Sequence, residues 1–218
     1  MATVRTANKT VDTVFRPFFL TSIGKKYLMG ITGLIWAGFV FGHMAGNMLM
    51  FVSADAYNAY GHAITSGMAI YLIEGGLTAA LLVHVLCALS LTLENRKARG
   101  SRYAVTSRGP KGARVFSRTM AIQGSIILVF LIYHLMTFKF GPYYSTTVNG
   151  EQIRDLHRLM VEVFQQPIYV IGYVISLCIL FFHLSHGFGS VFQSLGIKNE
   201  RTEKPIQAAS WIYAGVVA

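Results

Sequence analysis

The stretch "PIYVIGYVISLCILFFHLSHGFGSVFQSL", residues 167–195, decides the fold class. It runs without a lysine, arginine, aspartate or glutamate. At a rise of 1.5 Å per residue, a helix of this length exceeds the roughly 30 Å hydrocarbon core of a bilayer. Yet it carries two histidines, His183 and His186, one helical turn apart. An imidazole left unpaired in hydrocarbon costs several kcal/mol, so the rest of the chain must supply a partner.

Three further runs have the same character: Tyr27–Phe51, Gly67–Leu93 and Met120–Phe140. Only 13% of the 218 residues are charged, against about 25% in an ordinary soluble domain, and the charges lie in blocks between the runs. The expectation is an all-α, polytopic transmembrane helical bundle forming a single membrane domain over residues 1–218. Residues 1–26 form an N-terminal segment, retained because no apolar core and cleavage site follow its basic residues. A fifth run, 206–218 ("IQAASWIYAGVVA"), reads as the start of a further spanning helix cut off by the chain end. A terminal helix lying in the interface is the rival.

Charge sets the orientation. Sixteen of the nineteen lysines and arginines fall before the first run, between the second and third, or after the fourth. Lys139, Arg154 and Arg158 fall on the other side. The positive-inside rule places the first side, with the N-terminus, in the cytoplasm. In the basic loop 94–118 only two aromatics, Tyr103 and Phe116, lie among the charges, so a nucleic-acid role is not indicated. Two cysteines, Cys87 and Cys178, are too few for an iron–sulfur cluster, which needs about four thiolates, and "GHMAGN" lacks the strand and βαβ context of a phosphate loop. Redox chemistry must therefore come from a bound group or a partner.

Five of the seven histidines lie inside the apolar runs: His43, His84, His134, His183 and His186. Their depths group them. His43 precedes Phe51 by eight residues and His134 precedes Phe140 by six, so both sit roughly 10–12 Å below the outer face. His84 and His183 lie seventeen and sixteen residues into inward-running helices, roughly 24–26 Å deep. Two pairs result, each from two helices. Two imidazoles fill both axial positions of a haem iron and leave no site for oxygen, so such centres transfer single electrons. Zinc would want three or four ligands at one depth. The absence of C-x-x-C-H excludes covalent attachment, which leaves two non-covalent b haems. His183 matches His84 in depth and is preferred as ligand. His186, nearer the inner face, suits a propionate or backbone contact, although the shared helix face leaves a swap open. Gly33 and Gly124 each precede a histidine by ten residues, and so sit near the depth of the other haem, making room for a macrocycle or for close helix packing.

The outer connection holds the polar residues Tyr57, Tyr60 and His62, and Glu74 inside the second run is a proton relay or a snorkelling side chain. Ser22 and Lys25 on the inner side are candidates for proximal propionates. A dihaem cytochrome b serving another respiratory dehydrogenase, or a proton-coupled transporter using buried histidines as relays, are the alternative readings.

The segments "SIGKKYLMGITGLIWAGFVFGHMAGN" (22–47), "AYNAYGH" (56–62), "LLVHVLCALSLTLENRKARG" (81–100) and "HLSHGFGSVFQSLG" (183–196) resemble the dihaem cytochrome b subunit of succinate:quinone oxidoreductases. The resemblance covers nearly the whole chain. It implies a membrane anchor of succinate dehydrogenase or fumarate reductase in the cell inner (cytoplasmic) membrane, with His84 and His183 on the proximal haem and His43 and His134 on the distal one. Implied partners are a flavoprotein subunit, an iron–sulfur subunit, membrane lipid and a quinone, menaquinone for dihaem members, for which Tyr57, Tyr60, His62 and Glu74 are the candidate residues; a higher oligomer of the complex is compatible with it. Activity towards succinate would belong to the complex and not to this chain alone. Some similar fumarate reductases carry a glutamate two residues before the fourth ligand. Here Phe181 stands there and cannot carry a proton.

Overall fold

The computed structural model describes residues 17–98 and 115–218. Of the cytoplasmic charge blocks, Arg5, Lys9, Arg16 and the basic residues from Arg99 to Arg114 lie outside the described residues. Helix α1 (Ser22–Asn47) starts where Thr21 caps it, its hydroxyl accepting from Gly24 N at 3.1 Å, and continues through a 3₁₀ turn, Met48–Phe51. A short helix α2 (Ala54–Thr65), capped by Ser53, leads through Gly67 (φ 82°) into α3 (Ala69–Ala98). Then come α4 (Val115–Phe138), a hairpin of β1 (Ser145–Val148) and β2 (Glu151–Arg154), α5 (Leu156–Phe164), α6 (Pro167–Ser194) and α7 (Glu203–Val217). Pro167 opens α6 at the position where a missing N–H costs nothing.

Among the described residues, four helices are long and apolar enough to cross a membrane: Ser22–Phe51, Ala69–Ala98, Met120–Phe138 and Pro167–Ser194. Their outward faces carry exposed apolar side chains such as Ile31, Leu82, Val129 and Ile171, as lipid requires. Packing orders them in a ring. α1 packs on α3 and α6, and α4 packs on α6, whereas α3 and α4 barely touch. The pairs α1/α4 and α3/α6 are therefore diagonals. Small polar residues line the interior, Thr32 and Ser176 among them, each returning its hydroxyl to a carbonyl of its own helix.

α7 rises along α6 and α1. Ser210 and Ala214 are buried on it, Tyr213 stacks on Phe188 at 4.7 Å and donates to Ala37 O at 2.6 Å. The approach to α6 depends on Gly189, where a Cβ would come within 3.0 Å of Ser210 Oγ. Phe181 packs against Trp211 in the same seam.

The end opposite the basic loop is closed by a cap of α2, the hairpin and α5. Asn149 (φ 52°) and Gly150 (φ 83°) make the tight turn in the positive-φ conformation that two-residue hairpins favour. Ile153 and Val148 bury the hairpin's inner face, and β1 and β2 both pack on α2. Asn58, 2% exposed, fastens the parts: its Nδ2 donates to Asp155 Oδ1 at 2.9 Å and its Oδ1 accepts from His157 N at 2.9 Å. Asn58→Ala leaves the His157 amide without its acceptor and takes one of two donors from Asp155 Oδ1, which still accepts from Arg158 N at 3.0 Å, so the cap should lose about 1–2 kcal/mol. Hydrogen exchange at the His157 amide reads this, and wild-type protection in the variant would count against the clasp.

Candidate functional site

One imidazole pair meets across a diagonal, and a second lies near enough across the other to interact. His43 on α1 and His134 on α4 have ring centroids 5.6 Å apart and planes at 85°. His84 on α3 and His183 on α6 are near enough for a charge on one to be felt by the other. Neither α1 with α4 nor α3 with α6 is a packed neighbour, so in each pair the imidazoles bridge helices that do not otherwise hold one another. Five residues were expected in the runs' interior, and His186 lies one turn beyond His183, close enough that the two also interact.

What holds each ring differs. His84 Nδ1 lies 3.1 Å from Met29 O and 3.3 Å from Thr32 Oγ1. Since the Thr32 hydroxyl donates to Leu28 O at 2.7 Å, both contacts are met when Nδ1 carries the proton, which leaves the Nε2 lone pair available. His134 Nδ1 lies 2.9 Å from the Tyr173 hydroxyl. His43 is stacked on Phe39 at 5.5 Å, and its own carbonyl accepts from Asn47 Nδ2 at 2.7 Å. His183 Nδ1 is buried and has no hydrogen-bond partner among the described residues.

The glycines face the rings at the other level. A Cβ at Gly33 would come within 3.3 Å of His84 Cε1, and one at Gly124 within 3.6 Å of His183 Cε1. These are the properties of a cradle. Two nitrogens meeting one metal ion from opposite sides place the ring centres roughly 6 Å apart when each bond is about 2 Å, close to the 5.6 Å of His43 and His134. An orphaned buried imidazole nitrogen, side-chain-free walls and rings meeting across unpacked diagonals fit a planar group held between two axial ligands. No group of three or more His, Cys, Asp or Glu residues suited to a metal ion exists among the described residues, which fits ligation in twos and not a compact metal cluster.

The other expected site residues are engaged elsewhere. Lys25 pairs with Glu94 and donates to Ser90 Oγ at 2.7 Å, while Ser22 Oγ donates to Glu94 at 3.0 Å. Tyr57 donates to Asn47 Oδ1 at 2.8 Å, and burial pushes its hydroxyl up to about 12, so it stays a donor. Tyr60 packs its ring onto Gly46, where a Cβ would meet it at 2.5 Å. His62 lies 3.2 Å from Glu151 across to β2. Glu74 pairs with Lys139, joining α3 to the end of α4.

A cavity that residue-by-residue reading missed lies beside the His134 level. It holds about 360 Å³ between α4, α5 and α6 and is lined by Tyr133, Met136, Thr137, Tyr144, Glu162, Gln166 and Tyr169, among others. Exposed Tyr133 and Met136 mark its apolar mouth. Its polar corner is built on α5: Arg158 Nε donates to Glu162 Oε1 at 2.8 Å, and the Arg158 guanidinium lies over the Tyr144 ring at 4.1 Å. The Tyr144 hydroxyl, and after it Arg158, hold the Glu162 carboxyl below the usual carboxylate range. The available signal was the i, i+4 Arg–Glu pair on a short amphipathic segment.

A sequence model of the family described as succinate dehydrogenase/fumarate reductase transmembrane subunit matches residues 96–218, more than half of the chain. The chain belongs to that family, and its four apolar helices make it a multi-pass membrane protein. No curated protein and no solved structure matches it.

Proposed function

From that membership we propose that the chain is the haem-carrying membrane anchor of a succinate:quinone oxidoreductase, passing electrons between an iron–sulfur subunit and membrane quinone. The observation that carries this is the meeting of His43 with His134, and the nearness of His84 to His183, across the unpacked diagonals of the bundle. His84 and His183 would hold the proximal b haem, and His43 and His134 the distal one. When bound, such groups supply single-electron transfer, both axial positions being filled. The chain's own part is to fix the imidazoles: Met29 O and Thr32 set the tautomer of His84, and the apolar helices exclude water from the path. The basic end, facing the cytoplasm by the positive-inside rule, would receive the flavoprotein and iron–sulfur subunits. Purified chain or complex should show a b-type α-band and two haems per chain. One haem, or none, rejects the reading.

The same reading assigns the cavity beside His134 to quinone. Its volume and its mix of apolar wall and a few polar groups suit a small-molecule site, its mouth faces lipid, and its wall residues Tyr133 and Thr137 flank His134 in the sequence. Gln166 offers a polar contact to a quinone carbonyl, and Glu162, held ionised by the Tyr144 hydroxyl and by Arg158, would take a proton released when a quinol is oxidised there. Menaquinone is the quinone that the resemblance implies. Gln166→Leu and Glu162→Gln should raise the quinone KM several-fold, on the order of one lost polar contact of about 1 kcal/mol, with haem content unchanged. Unaltered KM in both variants would move the site away from this cavity.

A further inference from the structure

Tyr173 has no place in any motif, yet it touches one of the four imidazoles directly. Its hydroxyl lies 2.9 Å from His134 Nδ1. The phenol ring is boxed by Phe130, Phe138 and Phe164, with centroids 4.9, 6.2 and 4.8 Å away and all three edge-on. Phe130 and Phe138 also lean on His134 itself, at 5.9 and 5.4 Å. The box fixes where the hydroxyl sits, and the hydroxyl fixes the rotation of the imidazole. At the other level the equivalent partner is a helix carbonyl, Met29 O. The two pairs are therefore supported by different chemistry.

We infer that Tyr173 is the positioning residue for His134, accepting its Nδ1–H so that Nε2 is presented to the distal haem iron. This rests on the haem reading above. An imidazole that ligates through one nitrogen carries its proton on the other, and an acceptor for that proton strengthens the ligating nitrogen as a donor. A stronger donor favours the oxidised iron. Tyr173 thus orients His134 and also biases the distal centre towards its ferric state.

Tyr173→Phe keeps the ring and its box and removes only the hydroxyl. In the purified complex the variant should retain both haems. At a fixed potential the ratio of reduced to oxidised distal haem should rise several-fold, up to about tenfold, and the distal ferric resonance should shift while the proximal one stays. Phe164→Leu loosens the same box without touching the hydroxyl and should leave that ratio at the wild-type value. Two haems with unchanged ratio and resonance in Tyr173→Phe would overturn the inference and leave the haem reading standing. Should Tyr173→Phe lose the distal haem while Phe164→Leu keeps it, the hydroxyl is required and the inference holds. Loss in both variants would mean that packing alone matters and would overturn it. A wild-type chain without two b haems rejects the reading underneath.

Discussion

Replacing His134 with alanine is expected to leave one b haem per chain, the proximal one, with its potential little changed. The reason is the separation of the two pairs. His43 and His134 meet at one level from α1 and α4, and no residue of that pair supports the other: His84 is held by Met29 O and Thr32 on the inner half of α1. Alanine at position 134 removes the imidazole proposed as an axial ligand and frees Tyr173, without reaching the contacts of His84 or His183. His43→Ala should give the same outcome from the opposite side. A haem assay on purified chain counts the loss, and a redox titration should show one step where the wild type shows two. Electron flow from the partner subunits to quinone should fall at least about 100-fold, beyond what loss of an outer-shell contact produces. Loss of the proximal haem alone in either variant would contradict the pairing.

Gly33→Val should do the converse and empty the proximal position. A Cβ at Gly33 would approach His84 Cε1 to 3.3 Å, tighter than ordinary contact, and Nδ1 to 3.6 Å. The ring cannot give way cheaply, because Nδ1 is held by Met29 O and by Thr32 next to the glycine. Alanine demands a shift of a few tenths of an ångström. Valine adds two further carbons in the same direction, and overpacking of this kind costs about 1–3 kcal/mol before any ligand is considered. Haem content should fall in the order glycine, alanine, valine, with the distal centre retained. Gly124→Ala is the milder counterpart, since its Cβ meets His183 Cε1 only at 3.6 Å. Full proximal occupancy in Gly33→Val would show that the glycine is there for helix packing and not for the imidazole.

The four apolar helices were legible because they need only local counting: apolar run length and a constant rise per residue. Helix α1 starts at Ser22, earlier than the apolar run at Tyr27, because Thr21 supplies a cap that hydropathy ignores. The Asn149–Gly150 turn was readable from its residue types but sat inside a stretch taken only as an outer connection. What sequence reading cannot reach is pairing over long separations. Lys139 with Glu74 and Asn58 with Asp155 join residues 65 and 97 positions apart, and nothing local marks either partner. The polar groups expected at the quinone, Tyr57, Tyr60 and His62, have side-chain types that suit a ligand and a structural cap equally. The fold gives them Asn47, Gly46 and Glu151 as neighbours. Tyr173 is the same problem in reverse: a tyrosine in an apolar helix looks like belt or filler until the bundle brings it to His134.

The Asn58 clasp has a consequence for how the chain is threaded into the bilayer. Its halves leave the ribosome far apart, one after the first span and the other after the third, and they can join only if both segments are delivered to the same compartment. A nascent chain whose third helix failed to cross would strand Asp155 and His157 on the wrong side, with the amide and carboxylate oxygen that Asn58 serves left without their partner. The latch therefore closes only when both outer segments lie on the same side of the bilayer, and it braces the finished subunit there.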